Sequence, residues 1–305
     1  MNSMRFALIG AYAIAACGGA HNPLEVDAQA CDPGFAFDGV LCQSFANRSV
    51  ERIPTPWTEQ GRALALEMVV YRPPTPGPYP TVIVHHGSTG TGSNPALFSL
   101  TYSSETIAKA FVDQGWMVLF PQRRGRGASD GVYNEGFEPD RSRYSCQTAL
   151  SLGGLEHALE DAEVIARHVR GRPEVDTSRI MIGGVSRGGI LALAHAARRP
   201  ASYRGVVNFV GGWMSEGCVN SVAINRTTFA AAARSPVSLW IYGDNDPFYS
   251  AGHSRANFDA FVAAGGAGTF HLFRRRDPAA SGHGIASEPA LWLADVQAFI
   301  SQAGR

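Results

Sequence analysis

A serine between glycines, Gly184-Val185-Ser186-Arg187-Gly188, follows an apolar run that reads as a short strand, Ile180-Met181-Ile182, and opens a run of helical character from Ile190 to Ala197. A backbone passing from strand to helix in so few residues must turn sharply, and glycines at the turn leave room where side chains would collide. Such a turn lifts a hydroxyl from the sheet edge, so Ser186 is a candidate covalent nucleophile. The flanking strand and helix patterns set this apart from a glycine-rich turn with an ordinary serine.

A serine hydroxyl is a weak nucleophile at neutral pH and needs a histidine base oriented by a carboxylate, expected here later in the chain in the order Ser, Asp, His. Residues 237–242 read as a buried strand, followed by the loop Gly243-Asp244-Asn245-Asp246-Pro247. Asp246 is the expected acid, because Pro247 keeps it out of helical geometry, whereas Asp244 beside Gly243 suits a turn or a cap. Nine histidines compete for the role of base. His157, His168 and His195 fall in helical patterns and His271 in a strand pattern over 269–273, which leaves His253 and His283 after Asp246. His283 is preferred, since Ala280-Ser281-Gly282-His283-Gly284 is a loop ahead of a last helix carrying Trp292, Val296, Phe299 and Ile300 at helical spacing.

The negative oxygen of a tetrahedral intermediate needs two backbone N–H donors. Residues 81–85 form an apolar strand pattern, and His86-Gly87-Ser88-Thr89-Gly90 leaves it as a loop able to turn its amides inward. One expected donor is the N–H of Ser88, with Thr89 as the alternative, and the other is the N–H of Arg187, the residue after the nucleophile.

Over residues 50–300 the chain resembles the α/β-hydrolase superfamily, and within it the dienelactone-hydrolase-like and prolyl-oligopeptidase-like serine hydrolases. The resemblance is carried by Asp176-Thr177-Ser178-Arg179-Ile180 leading into Gly184-Val185-Ser186-Arg187-Gly188-Gly189, by the His86-Gly87 turn, by the acid loop Gly243-Asp244-Asn245-Asp246, and by Arg124-Gly125-Arg126-Gly127-Ala128-Ser129, similar to an Arg-Gly-x-Gly-x-Ser loop after the fourth strand. It implies an α/β-hydrolase fold: a mostly parallel central sheet with helices on both faces and a small lid. There are two departures: no β-propeller precedes the domain, and the nucleophile is Ser186 rather than the cysteine of typical dienelactone hydrolases.

With 45% hydrophobic and 17% charged residues, the 305-residue chain can bury a large core. Its 26 basic and 26 acidic residues cancel, which argues against a nucleic-acid footprint or capture by an anionic membrane surface. The arginines at 123, 124 and 126 and at 274, 275 and 276 read as solvated or ion-paired sets, with recognition of a substrate carboxylate as the functional alternative. Residues 1–16 read as a signal peptide, because the apolar run from Phe6 to Ala16 after Arg5 is too short to span a bilayer. Ile14-Ala15-Ala16-Cys17 resembles a lipobox, in which Cys17 would be acylated; Ala13-Ile14-Ala15 also fits an ordinary signal-peptidase site. The expectation is an exported protein, lipid-anchored to a bacterial membrane at the periplasmic or cell surface, with plain secretion as the alternative.

Four cysteines then remain for disulfides in an oxidising compartment. Cys31 and Cys42 bracket a turn-rich segment and are expected to staple a short loop within an N-terminal linker, 17–48, ahead of a hydrolase domain at 49–305. Cys146 and Cys218 pair by elimination and would brace the rim of the site. No cysteine or histidine spacing resembles a zinc site, and neither metal nor cofactor is expected.

Strand and helix patterns alternate through the rest of the chain. They include a strand over 63–71, a helix over 104–114, a strand over 116–120, an amphipathic helix marked by Leu155, Leu159, Ala162, Ile165, Ala166 and Val169, and a strand over 206–210. The stretches 132–154 and 211–235 are left as candidate lid and substrate wall, with Trp213, Met214 and Phe229 as candidate lining of an acyl pocket. Together these features point to a serine esterase acting on a small-molecule ester, with no protein partner inferred. The rivals are a peptidase, amidase or acyltransferase using the same three residues, and a non-catalytic lipoprotein that keeps the fold for binding.

Overall fold

The computed structural model of the protein describes residues 47–303 and, as backbone, two short antiparallel strands, β1 (Ala36–Phe37) and β2 (Cys42–Gln43). The expected signal peptide, Cys17 and the Cys31–Cys42 bridge lie outside the described residues.

Eight strands form one sheet: β3 (Arg48–Glu59), β4 (Arg62–Tyr71), β5 (Tyr79–His85), β6 (Met117–Pro121), β7 (Val175–Val185), β8 (Val206–Phe209), β9 (Ser238–Gly243) and β10 (Gly268–Phe273). Their spatial order is β10-β9-β8-β7-β5-β6-β4-β3. The β3–β4 and β4–β6 pairs are antiparallel, and every other pair is parallel. Pro54 and Pro56 in β3 have no N–H to give a ladder, so this strand suits the edge, and its register against β4 shifts between Pro54 and Thr58. By contrast β6, β8 and β9 are buried at every residue, as strands covered on both faces must be.

The covering helices are α1 (Glu105–Val112), α2 (Thr148–Arg170), α3 (Arg187–Arg198), α4 (Ser221–Ala231), α5 (Ala251–Ala263) and α6 (Pro289–Ala303). Helix α1 packs with α6, while α2, α3, α4 and α5 pack in succession. Ser104 starts α1 by accepting a hydrogen bond from the N–H of Ile107, and Ser250 caps α5 through the N–H of His253. The six marker residues of the long amphipathic helix are buried in α2, and Trp292, Val296, Phe299 and Ile300 are the buried stripe of α6.

Two stretches expected to be mostly loop contain helix. Helix α2 starts at Thr148, because Gly153 and Gly154, poor helix formers, are outweighed by packing: a Cβ on Gly154 would lie 2.1 Å from the backbone of Glu135 and Gly136. Helix α4 forms within 211–235 from weak helix formers such as Asn225, Thr227 and Thr228, held by burial of Ile224 and Phe229 between α3 and α5. The irregular parts that remain, 122–147 and 210–220, lie over the ends of the strands that carry the site.

Candidate active site

Strands β5 and β7 are neighbours with His85 opposite Gly184, so the loop after β5 and the turn after β7 leave the sheet side by side. The chain runs from β5 to β6 on one side and returns to β7 on the other, which opens a crevice at their carboxyl ends. Ser186 stands there with φ 56° and ψ −123°, a conformation that costs a non-glycine residue about 1–3 kcal/mol. Its N–H donates to the Phe209 carbonyl at 2.9 Å, and its own carbonyl accepts from Gly189 and Gly212 at 2.9 and 3.2 Å. The glycines are required by close approach: a Cβ on Gly188 would lie 2.1 Å from the His85 carbonyl oxygen, and one on Gly184 2.3 Å from Gly188.

His283 occupies the 3-10 turn Gly282–Ser287, where Ser281 Oγ accepts from its backbone N–H. Its Nδ1 lies 2.8 Å from Asp246 Oδ2. The other Asp246 oxygen accepts from the N–H groups of Phe248 and Tyr249 at 2.8 and 3.1 Å, and the carboxylate is fully buried. An acceptor-only carboxylate at Nδ1 requires the proton on that nitrogen, which leaves Nε2 with its lone pair. Phe248 packs edge-on against the ring at 4.7 Å. Asp244, the alternative acid, instead pairs with exposed Arg274 at 2.9 Å. His253, the alternative base, belongs to α5, where it contacts Asn225 at 3.0 Å and Glu216 at 3.3 Å.

Ser186 and His283 line one cavity of about 490 Å³, together with Ser88, Arg187 and Tyr249. The Tyr249 phenol donates to the Gly212 carbonyl at 2.8 Å and has the Ser186 hydroxyl as a further hydrogen-bonding neighbour, and burial pushes its pKa up. The N–H groups of Ser88 and Arg187 donate to no group among the described residues, whereas that of Thr89 donates to the Tyr144 hydroxyl at 3.1 Å. His86 shapes the same loop. Its Nε2 accepts from the backbone N–H of Arg123 at 3.2 Å, so the proton sits on Nδ1 and is donated to the Gly87 carbonyl at 2.8 Å. Burial, reinforced by the charges of Arg123 and Arg126, keeps this imidazole neutral. In a trans peptide unit C=O and N–H point in opposite directions, so pinning the Gly87 carbonyl to His86 aims the Ser88 N–H the other way.

The charged side chains lining the cavity are all arginines: Arg126, Arg143 and Arg187. Arg187 is held by Glu135, whose carbonyl accepts from it at 2.8 Å and whose carboxylate lies 3.5 Å away, and by the Trp213 carbonyl at 2.9 Å. Buried Glu135 also pairs with Arg123 at 2.6 Å; burial raises its pKa, but the two guanidinium charges outweigh that and hold it low. Arg124 pairs with Asp161 and Glu160, as an ion-paired set would. Arg126 departs from that expectation. It is buried, its Nη1 donates to the Gly87 carbonyl at 3.3 Å, and its Nε has no partner among the described residues.

The wall over the cavity comes from Arg143, Tyr144, Ser145 and Cys146 on one loop and Trp213, Met214, Ser215, Gly217 and Cys218 on the other, and the Cys146–Cys218 disulfide joins them. Trp213 and Met214 face the cavity; Phe229 does not, because it packs on Trp240 in the core at 4.7 Å. The contacts of Tyr144, Tyr249, His86 and Glu135 were not foreseen from the sequence, where nothing beyond the His86-Gly87 turn marks them. Among the described residues there is no group of three or more His, Cys, Asp or Glu side chains that could hold a metal, and no helix is long and apolar enough to cross a membrane.

The family model described as the dienelactone hydrolase family matches residues 66–284. No curated protein matches the chain. Among solved structures, an S-formylglutathione hydrolase from Agrobacterium tumefaciens is 18% identical with a TM-score of 0.54, covering 85% of this chain and 95% of the other. Est1E from Butyrivibrio proteoclasticus, solved with ferulic acid, is 14% identical with a TM-score of 0.56, covering 83% and 98%. The acylaminoacyl peptidase of Pyrococcus horikoshii is 16% identical with a TM-score of 0.54, and the match spans 84% of this chain but 41% of that one. The fold is the α/β-hydrolase fold.

Proposed function

This chain belongs to the dienelactone hydrolase family, and from that premise we propose that it hydrolyses carboxylic esters through an acyl-enzyme on Ser186. The observation that carries the reading is the Asp246–His283 hydrogen bond, which leaves Nε2 free as a base on the cavity that Ser186 also lines. His283 takes the hydroxyl proton as Ser186 Oγ bonds to the ester carbon, and the N–H groups of Ser88 and Arg187 hold the oxygen that becomes negative. Collapse breaks the bond to the alkoxy group, which leaves with the proton from His283. Water, deprotonated by the same imidazole, then releases the acid and restores Ser186. Asp246 orients the ring and stabilises the imidazolium.

The arginine lining supports a substrate that carries a negative charge beside the scissile ester. Arg126 lines the cavity, Arg143 is exposed at the mouth, and no carboxylate among the described residues lines the wall. We further propose export, supported by the Cys146–Cys218 bridge, since disulfides persist in oxidising compartments. The test of the mechanism is labelling by a fluorophosphonate probe together with turnover of a p-nitrophenyl butyrate substrate. Label should attach to Ser186, and Ser186→Ala and His283→Ala should each lose about 10⁴ to 10⁶ in kcat, with little further loss in the double variant. Unlabelled wild type, or full turnover by folded Ser186→Ala, refutes the mechanism.

A further inference from the structure

We infer that Tyr144, a residue of the loop over the cavity, positions the oxyanion hole by joining its two halves, an inference that rests on the roles proposed above for the Ser88 and Arg187 amides. Its phenol oxygen accepts from the Thr89 N–H at 3.1 Å and lies 2.9 Å from Thr89 Oγ1 and 2.7 Å from the Tyr133 hydroxyl. Its backbone N–H donates to the Thr91 carbonyl at 2.9 Å, so backbone and side chain both hold the loop that follows β5. The face of the same ring lies 3.8 Å from the guanidinium carbon of Arg187.

The peptide units on both sides of Ser88 are therefore clamped: the Gly87 carbonyl by His86 and Arg126, and the Thr89 N–H by Tyr144. Arg187 is fixed between the Tyr144 ring, the Trp213 carbonyl and Glu135. Donors for a developing oxyanion are effective only if they do not have to reorganise as charge appears, so rigidity at these two residues bears on the chemical step. The tyrosine is itself tethered. Cys146, two residues on, is bridged to Cys218, on the same stretch as Trp213, so the disulfide ties together the loops that hold Thr89 and Arg187.

Tyr144→Phe removes the hydroxyl and keeps the ring over Arg187. With p-nitrophenyl butyrate it should lower kcat about 10-fold, part of the 10²- to 10³-fold that loss of a donor itself costs, with KM within about 2-fold. The inhibition constant of an alkyl trifluoromethyl ketone, whose adduct places a negative oxygen in the hole, should rise by the same factor as kcat falls. A merely structural role would change melting temperature or KM without linking those two quantities. The Cys146→Ser/Cys218→Ser variant should show the same linked change, and adding Tyr144→Phe to it should cost little more. Unchanged kcat and ketone affinity in Tyr144→Phe, with Ser186 of the wild type still labelled by fluorophosphonate, overturn the inference alone. Failure of the wild type to label overturns the mechanism and this inference together.

Discussion

Replacing Asp246 by asparagine should disable the imidazole without disturbing the fold, and the hydrogen bonds of this carboxylate show why. One oxygen accepts from two backbone N–H groups, those of Phe248 and Tyr249 at 2.8 and 3.1 Å, while the other faces His283 Nδ1 at 2.8 Å. In Asp246→Asn the first position must remain an oxygen, since an amide NH₂ there would meet two donors. The NH₂ is thereby forced to face His283, and Nδ1 must become the acceptor. The ring proton moves to Nε2, the nitrogen that receives the Ser186 proton in the proposed mechanism. A wrong tautomer of this kind costs about 10⁴ in kcat, or about 5 kcal/mol at 1.36 kcal/mol per tenfold. The assay is kcat on p-nitrophenyl butyrate beside the rate of fluorophosphonate labelling, with melting temperature as the check on folding. Asp244→Asn is the control, because that carboxylate pairs with an arginine 82% exposed, and its kcat should stay within about 3-fold. A folded Asp246→Asn within 10-fold of wild type, or an inactive Asp244→Asn beside it, would refute the assignment.

Arg126→Met should raise KM about 10- to 100-fold for a p-nitrophenyl ester bearing a free carboxylate while changing KM for its methyl-capped counterpart far less, as expected for loss of a charge-assisted contact; equal effects on both would remove the case for an anionic substrate. Glu51 is pushed up by partial burial, but hydrogen bonds and charges from Arg172 and Arg72 outweigh this and bring its pKa from 4.5 to about 2. A depressed carboxylate pKa stabilises the fold above pH 4.5, and the gain disappears as pH falls through about 2. Discounted for exposure it amounts to about 1 kcal/mol, so denaturant unfolding should find wild type ahead of Glu51→Gln by that amount at pH 7 and level with it near pH 2. A pH-independent gap would show that the pair does not titrate as stated. In a bacterial host the wild type should fractionate with membranes and carry lipid on Cys17, whereas Cys17→Ala should be released or left unprocessed; wild type that stays cytosolic and retains Met1 contradicts export.

The sheet and the sharp turn at Ser186 are legible because their signals are short-range. Apolar runs bounded by turn residues mark β5, β7 and β9, and the spacing of Trp292, Val296, Phe299 and Ile300 marks α6. The start of α2 and the whole of α4 are not, since their glycines, asparagine and threonines favour loop until neighbouring elements bury them. Phe229 reads as well for a pocket as for a core, and only its contact with Trp240 separates the two.

What the sequence determined by itself is whatever depends on chain neighbours: the steric need for glycine at 184 and 188, the strand before and the helix after Ser186, and Pro247 holding Asp246 in a loop. Tertiary structure decided the rest by bringing distant segments to one sheet edge. His283 meets Asp246 across 37 residues, and Tyr144 reaches Thr89 across 55. That Arg123 and Arg124 find carboxylates while Arg126 lines the cavity with no ion pair among the described residues follows from the same assembly. A charge acquires its partner, or fails to, in space, and no local pattern of residues records the outcome.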